Sequence, residues 1–420
     1  MLINKISMQD MDGQHYSSRP IDTSDNKRAS FTHYIHDTKG DFSQLYKSKA
    51  LAYVEDVLQH KLPSASIPDN LAEDTLQSLL QEVKAEIPFP KPKQPKFKFI
   101  DLFAGIGGFR LALQNLGGQC VFTSEWDEYS KKTYAANFGE LPFGDITEAT
   151  TKAFIPKGFD ILCAGFPCQS FSIAGKRGGF EDTRGTLFFD VAAIIKTHQP
   201  KAFFLENVKG LRSHERGRTL ATILNTLRED LNYFVPEPQI INAKDHGVAQ
   251  NRERIFIVGF HKSQLVEKFT YPTPLGKKVP IASILEDQEV SVKYYLSTQY
   301  LKTLIEHKER HKNKGNGFGY EIIPHDGIAN AVVCGGMGRE RNLLYDHRLT
   351  NFEPITRIKG EVNRKGIRKM TPREWARLQG FPDDFQIVVS DAQAYKQFGN
   401  SVAIPAIQAT ASQIIKSLGM

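Results

Sequence analysis

A regular alternation of strand-like and helix-like segments dominates the middle of the sequence. Between residues 97 and 260, short apolar runs are separated by stretches in which apolar residues recur at helical intervals. The runs are FKFIDLF (97–103), CVFTSE (120–125), DILCAG (160–165), AFFLEN (202–207) and RIFIVGF (254–260). This alternation predicts an α/β fold with a doubly wound, mostly parallel sheet. Because such sheets bind ligands beyond the carboxyl ends of their strands, we expect the functional residues there.

The N-terminal segment, residues 1–95, differs from this alternating region. We predict a polar tail to about residue 45, because this stretch has no apolar periodicity. Apolar residues then recur at helical intervals between Leu45 and Val83, which predicts two helices separated by prolines. The sequence PFPKPKQPK predicts a stiff, basic linker to the next domain.

The C-terminal part of the chain divides at about residue 366. Residues 262–366 form short, irregular pieces rich in Gly and Lys, which predicts a smaller, loop-rich domain. In residues 367–420, Thr371 and Pro372 are typical of the first positions of a helix, and a last helix is predicted after Pro405. We therefore predict boundaries at 95, 261 and 366, with the first strand starting at residue 97.

Composition excludes several classes of protein. With 40% hydrophobic and 24% charged residues, the chain has the composition of an ordinary globular protein. No apolar run approaches the ~18 residues of a membrane span, and the N-terminus lacks a secretory pattern, so we expect a cytoplasmic protein without membrane contact. The four cysteines lack metal-binding spacing, so we expect no metal site. They are Cys120, Cys163, Cys168 and Cys334.

The positive charge of the chain is localised. Residues 1–260 carry 31 basic and 31 acidic side chains, and residues 371–420 carry 4 of each. Residues 261–370 carry 19 basic and 12 acidic side chains, which accounts for the entire net charge of +7. Such an excess suits a polyanion partner, but a solvated lysine-rich surface is an equal alternative on charge alone.

The predicted strands end in residues suited to a nucleotide-like ligand. After the first strand, the glycines of DLFAGIGG allow a ligand to approach the backbone closely. The second strand ends in Glu125 and Trp126, which offer a carboxylate for ribose hydroxyls and an aromatic face for a purine. Asp145 offers an acceptor for an exocyclic amine. The GxGxxG spacing of dinucleotide-binding proteins is absent, which argues against a nicotinamide dehydrogenase.

Reactive side chains follow the third and fourth strands. Cys168 comes after a proline at the start of a polar, Gly-rich loop, where a nucleophile is favoured over a buried structural thiol. Glu206 ends the fourth strand, and burial there would favour its acid form and make it a proton donor. Arg252 and Arg254 lie two residues apart before an apolar strand, where anion binding is at least as well supported as a solvated surface position.

In this order, the motifs resemble the full series of the DNA (cytosine-5-)-methyltransferase family. The series is DLFAGIGG, EW, GDI, GFPCQSFS, GTLFF, ENV, QNRER, RKMTPREWARLQGFP and YKQFGNSV, over residues 97–260 and 368–420. The family resemblance implies S-adenosylmethionine as cofactor and a catalytic domain whose last part returns from residue 367. The implied cofactor residues are Phe103, Gly105, Ile106, Gly107, Gly108, Glu125, Trp126, Asp145, Ile146, Pro167, Leu187, Asn400, Ser401 and Val402.

The resemblance also implies a mechanism. Cys168 adds to carbon 6 of a cytosine flipped out of the duplex, Glu206 protonates ring nitrogen 3, and Arg254 holds the base oxygen. Arg252 orients the thiolate and a phosphate. Lys176 and Arg177 lie in a loop, residues 169–185, that would close over the base.

The implied partner is double-stranded DNA. It would be recognised by the basic residues 262–366, the inserted segment between the two parts of the catalytic domain. Candidate guanine-reading side chains are Arg339, Arg341 and Arg348, each of which has simple surface charge as its alternative. We expect a monomer that works alongside a restriction endonuclease without a stable protein complex. The competing hypotheses are a tRNA methyltransferase, whose Cys-Phe-Thr element we do not find, and an inactive fold used as a repressor, against which the intact catalytic motifs argue.

Overall fold

A seven-stranded, mostly parallel sheet forms the centre of the computed structural model, which describes residues 25–40, 42–61, 68, 70–82, 87–167, 187–335, 338–354 and 360–420. Four parallel strands lie in the order β2-β1-β3-β4, and β8 continues the sheet antiparallel to β4. Strands β5 and β6 both pair with β8. The strands are β1 (Phe97–Leu102), β2 (Gly118–Ser124), β3 (Ile161–Gly165), β4 (Ala202–Val208), β5 (Tyr233–Phe234), β6 (Gln239–Asn242) and β8 (Glu253–His261).

Helices cover both faces of this sheet, because alternate side chains of each buried strand point to opposite sides. In β1, Phe99 packs into the core on one face, and Ile100 and Leu102 pack into the core on the other. The helices between the strands are α4 (Gly108–Gln114), α5 (Glu128–Phe138), α6 (Ala149–Lys152), α7 (Leu187–His198) and α8 (Arg218–Asn225). The predicted α/β class with a mostly parallel sheet is confirmed. Among the helices within the described ranges, none is long and apolar enough to cross a lipid bilayer.

The segment after β8 contains short elements and two small apolar clusters of its own. Its elements are α9 (Thr298–Asn313), β9 (Ala329–Asn330), which pairs with β7 (Gln250–Asn251), and β10 (Leu343–Tyr345), which pairs with β11 (Ile367–Lys369). The chain then forms α10 (Pro372–Leu378), α11 (Asp391–Asn400) and α12 (Ile404–Ser417). Helix α12 packs on α4, and both contribute to one apolar core. The domain boundaries stay predictions.

The start of α10 agrees with the sequence. Thr371 is the N-cap: its side chain accepts a hydrogen bond from the Glu374 backbone amide, and Glu374 accepts one from the Thr371 amide. Pro372 occupies the first turn, where its missing N–H costs nothing.

In the part of the chain that the structure describes, three helices precede the sheet: α1 (Asp25–Ile35), α2 (Ser43–Lys61) and α3 (Leu71–Glu82). Helices α2 and α3 confirm the prediction for Leu45 to Val83. The prediction of a polar tail to residue 45 is wrong for α1. Nearly every described side chain of α1 is buried, polar ones such as Ser30 and His33 included, so its sequence has no apolar stripe to reveal a helix.

Candidate active site and cofactor pocket

The turn after β1 has an unusual backbone. Phe103, Gly105 and Gly107 all have positive φ angles, of 57°, 56° and 88°. Such an angle is strained for the non-glycine Phe103, and strain of this kind concentrates at functional sites. A Cβ at Gly107 would lie 2.3 Å from the Phe138 ring, whereas a Cβ at Gly105 would meet nothing within 4 Å. The turn is therefore packed at Gly107 and open at Gly105.

The chain after α11 closes the other side of this turn. A Cβ at Gly108 would lie 2.8 Å from Cγ2 of Val402 and 3.0 Å from Oγ of Ser401. Glycine is required here because the two segments touch. Ser401 and Val402 thus lie at the glycine turn, as expected for two of the predicted cofactor residues, and Asn400 beside them is exposed.

Glu125 ties the glycine turn to the end of β2. Its carboxylate accepts hydrogen bonds from the backbone amides of Gly105 (2.7 Å), Trp126 (2.8 Å) and Asp127 (2.8 Å). Burial raises the pKa of Glu125, and these amides oppose the rise. Trp126 itself is 74% exposed, so its ring is available as a stacking surface.

The segment Leu141–Ile146 lies along β2 beside Glu125. The Phe143 amide donates to the Thr123 carbonyl (2.8 Å), and the Glu125 amide donates to the Phe143 carbonyl (2.9 Å). Ile146 is buried, and the Asp145 side chain is exposed and accepts a hydrogen bond from the Thr147 amide. The structure therefore brings Asp145, Glu125 and Trp126 to neighbouring positions at one edge of the sheet.

Glu206 and Arg254 form an ion pair across β4 and β8. Nε of Arg254 lies 3.0 Å from Oε1 of Glu206, and both side chains are mostly buried. A Cβ at Gly165, the register partner of Glu206 on β3, would lie 3.6 Å from Oε2, the other carboxylate oxygen. Oε2 of Glu206, which is not the oxygen paired with Arg254, therefore lies near the carboxyl end of β3.

Arg252 is placed differently from Arg254. It is 2% exposed, and its guanidinium donates to the backbone carbonyls of Val332 (2.9 Å), Gly399 (3.1 Å) and Ser401 (2.6 Å). Burial lowers the pKa of Arg252 to about 9, and the nearby Arg254 adds to this effect. This position departs from the expected phosphate contact, because the side chain faces carbonyls and is closed to solvent. Arg252 therefore links its own segment, before β8, to the segment that contains Val332 and to the segment that contains Gly399 and Ser401.

Cys168 lies outside the described residues, as do Lys176 and Arg177. The chain is described up to Pro167, which is exposed, and resumes at the half-buried Leu187. Asn207 fixes the backbone just before the cysteine, since its side-chain amide donates to the Phe166 carbonyl (2.8 Å). The sequence interpretation missed this role, although Asn207 stands within the ENV motif.

An open cleft of about 430 Å³ separates the end of the sheet from the inserted segment. The residues that line it include Arg254, Val208 and Asn251 from the sheet region and Phe318, Asn330 and Arg341 from the inserted segment. Phe318, Asn251 and Asn330 were not among the predicted site residues. Arg341 is exposed in the cleft, as a DNA-reading residue requires.

The other two candidate DNA-reading arginines differ from Arg341. Arg339 is exposed, and its guanidinium lies over the Tyr395 ring, 5.3 Å from the centroid. Arg348 is exposed but bonded to its own chain: its guanidinium donates to the Asp346 carboxylate and to the carbonyls of Glu286 and Asp287. These bonds engage each of its three nitrogen atoms, and a role for Arg348 in reading guanine stays a prediction.

Comparison with solved structures shows a shared fold. The chain is similar to a Schizosaccharomyces pombe Dnmt2 methyltransferase (TM-score 0.58, 18% identity, 77% of this chain and 100% of that chain). It is also similar to a putative DNA modification methyltransferase encoded within an Escherichia coli prophage (TM-score 0.53, 19% identity, 77% and 100%). At these identities the comparison concerns the fold alone.

Sequence relatives are much closer. The chain is 72% identical to the type II methyltransferase M.HpaII of Haemophilus parainfluenzae over 81% of this chain and 97% of that protein. It is 48% identical to M1.ScrFI of Lactococcus lactis subsp. cremoris (79% and 81%) and 41% identical to M.HhaI of Haemophilus parahaemolyticus (76% and 95%). The family model for C-5 cytosine-specific DNA methylases matches residues 97–416. The chain therefore belongs to the C-5 cytosine-specific DNA methylase family and is a DNA (cytosine-5-)-methyltransferase, as its motif series predicts.

Proposed function

We propose that this enzyme methylates carbon 5 of a flipped-out cytosine within a short double-stranded DNA sequence, through a covalent adduct on Cys168, with S-adenosylmethionine as methyl donor. The observation that carries the proposal is the Glu206–Arg254 pair (3.0 Å) beside an open cleft. Asn207 adds support, because it anchors the backbone that leads to Cys168. A base entering the cleft would meet the Arg254 guanidinium, which is paired with the Glu206 carboxylate, and the proposal requires the Cys168 thiol to reach the same base.

The residues at the glycine turn fit S-adenosylmethionine. Gly105 leaves space where a side chain would otherwise stand, and Trp126 offers an exposed ring for the adenine. Glu125 would contact the ribose and Asp145 the adenine amine. Ser401 and Val402, which touch Gly108, would close the pocket. When bound there, the cofactor supplies a methyl group on a positively charged sulfur, which is an electrophile.

The residues of this chain would make the cytosine nucleophilic. The Cys168 thiolate forms a bond to carbon 6, while Glu206 hydrogen-bonds and protonates ring nitrogen 3, so that electron density collects at carbon 5. Arg254 donates to the base oxygen and orients Glu206. After carbon 5 has taken the methyl group, loss of the carbon 5 proton to a base in solution breaks the sulfur–carbon bond and releases the thiolate, and ring nitrogen 3 returns its proton to Glu206.

DNA would bind in the cleft between the sheet and the inserted segment. Carbon 6 is inaccessible in a duplex, so the base must leave the stack at a cost of a few kcal/mol. Arg341 and Arg339 would contact DNA, and the loop with Lys176 and Arg177 would close over the base. Since the relatives are named type II methyltransferases, we propose that the enzyme, as a monomer, protects host DNA from a cognate restriction enzyme.

Transfer of a labelled methyl group tests the proposal. We expect the parent protein to label duplex DNA and not tRNA, and the variant Cys168→Ser to label neither. Cys334→Ser is the matched control, because it removes an exposed thiol that has no role in the proposed chemistry. Bisulfite sequencing of plasmid DNA from expressing cells would show protected cytosines in one short sequence. Full activity of Cys168→Ser would overturn the proposed mechanism.

A further inference from the structure

We propose that helix α1 is a positioning element for the methyl-donor pocket and acts through Asn26 on the segment Leu141–Ile146. Helix α1 covers residues Asp25–Ile35 and lies outside the range that matches the methylase family, 97–416. This inference rests on the proposed function, because it takes Asp145 as a contact to the cofactor.

Asn26 makes two hydrogen bonds to the chain around Asp145. Its side-chain oxygen accepts from the backbone amide of Gly144 (3.0 Å), the residue before Asp145. Its side-chain nitrogen donates to Oγ1 of Thr151 in α6 (3.1 Å). Asn26 is 8% exposed, so water competes little for either bond. One side chain thus holds the backbone just before Asp145 and the Thr151 side chain that follows it in α6.

A second residue of α1 holds the start of the same segment. Oγ1 of Thr32 accepts a hydrogen bond from the Leu141 amide (2.9 Å) and donates to the Ala29 carbonyl within the helix (2.9 Å). Between these two anchors, the Phe143 ring packs against His33, with ring centroids 4.9 Å apart. Contacts from α1 therefore reach the segment at Leu141, Phe143 and Gly144.

The segment carries these constraints on to the pocket. Phe143 is hydrogen-bonded through its backbone to Thr123 and Glu125, and Glu125 in turn holds the Gly105 amide. Loss of Asn26 would leave the Gly144 amide unpaired, and this half-buried amide could regain a partner only by moving toward water. Helix α1 itself would stay docked, since Thr32 and the buried rings of Phe31 and Tyr34 remain.

The test compares variants of Asn26 with a matched control in the same helix. We expect Asn26→Ala to raise the KM for S-adenosylmethionine, and its Kd without DNA, by about fivefold, the effect of one hydrogen bond, with kcat nearly unchanged. Asn26→Asp keeps the acceptor for Gly144 and can accept from the Thr151 hydroxyl, so it should restore KM. Ser30→Ala removes a buried bond internal to α1, from Oγ to the Asn26 carbonyl (2.8 Å), and should leave KM unchanged.

Asp145→Ala separates this inference from the proposed function. If Asp145→Ala weakens cofactor binding and Asn26→Ala does not, the positioning role is overturned while the proposed pocket stands. If Asp145→Ala has no effect, the proposed pocket is wrong and the inference fails with it. Equal effects of Asn26→Ala and Ser30→Ala on KM would also overturn the positioning role. Should Asn26→Ala not fold, Thr32→Val, which removes the contact to Leu141, takes its place with the same expected rise in KM.

Discussion

Asp101 and Glu140 are both fully buried, yet their surroundings favour opposite charge states. Burial would raise the pKa of Glu140, but Arg110 (2.6 Å) and Lys91 (2.7 Å) outweigh it and hold that pKa well below its ordinary value. Neither oxygen of Asp101 makes a hydrogen bond of normal geometry in the described chain. Burial raises the pKa of Asp101 to about 8, against the opposing influence of Arg110. Asp101 is therefore protonated at neutral pH.

This protonation predicts a specific pH dependence for the variant Asp101→Asn. The carboxyl group has its ordinary pKa of 3.8 when unfolded and about 8 when folded, so folding takes up a proton between these values. The parent protein should lose stability through this group as the pH rises from 5 to 8, by at most about 1.4 kcal/mol per pH unit. The asparagine variant lacks this loss, so its stability relative to the parent should increase with pH.

Urea unfolding at pH 5, 6.5 and 8 measures the effect. Glu128→Gln, which changes an exposed carboxylate paired with Lys131 (3.1 Å), is the control and should show no comparable trend. A difference between parent and Asp101→Asn that is independent of pH would show that Asp101 is ionised in the folded protein.

Among the helices and strands, the sequence predicted those whose position depends on neighbouring residues in the chain. The five predicted strands appear within about two residues of their predicted positions, because each is an apolar run buried in the sheet, whereas the short β5 and β6 were not predicted. The N-terminus of α10 follows from Thr371 and Pro372. Helix α1 was missed because its polar residues find partners elsewhere in the fold: Asn26 bonds Gly144, which is 118 residues away.

In the candidate site, the motifs predicted individual residues but not the contacts between residues that are distant in the chain. The motifs gave Glu125, Glu206 and Arg254 as functional residues, but no spacing could give the Glu206–Arg254 pair or the environment of Arg252. The Arg252 carbonyl partners lie 80, 147 and 149 residues further along the chain. Contacts of this range depend on the packing of α11 and the inserted segment against the sheet, which a local pattern does not encode.

The environment of Arg252 predicts a contrast between two arginine variants. In Arg252→Lys the single ammonium group cannot reach all three carbonyls, so the chain at Ser401 should shift away from Gly108. We expect the affinity for S-adenosylmethionine without DNA to fall about tenfold, the effect of one to two hydrogen bonds. Arg254→Lys should lower kcat and leave this affinity unchanged, because Arg254 contacts Glu206 and not the cofactor pocket. Calorimetry on both variants measures the contrast, and equal affinities for the cofactor would contradict it.

For the whole molecule, the distribution of charge agrees with the position of the cleft. The chain is neutral over residues 1–260 and carries its excess in residues 261–370, which contribute lining residues to the cleft. The charge pattern alone left DNA binding and a solvated surface as equal alternatives. Membership of the DNA methylase family and the exposed Arg341 in the cleft now favour DNA binding.

Salt dependence tests the role of Arg341. We expect Arg341→Gln to weaken DNA binding and, if the side chain contacts a phosphate, to reduce the slope of log K against log salt by about 1. Cofactor affinity should not change. Lys201→Gln is the control, because Lys201 precedes β4 at the end of the sheet opposite Glu206 and should affect neither quantity. Unchanged DNA affinity of Arg341→Gln would remove this residue from the DNA-binding surface.

The proposed function depends on an attack on the target base by Cys168, which follows β3 in the sequence. Duplex DNA containing 5-fluorocytosine at the target site should trap the adduct, because the fluorine at carbon 5 cannot leave as a proton does. Incubation with S-adenosylmethionine, followed by digestion and mass spectrometry, should yield a peptide with methylated 5-fluorocytosine on Cys168. An adduct on another residue, or methylation of ordinary DNA without any adduct on the fluorinated duplex, would contradict the account.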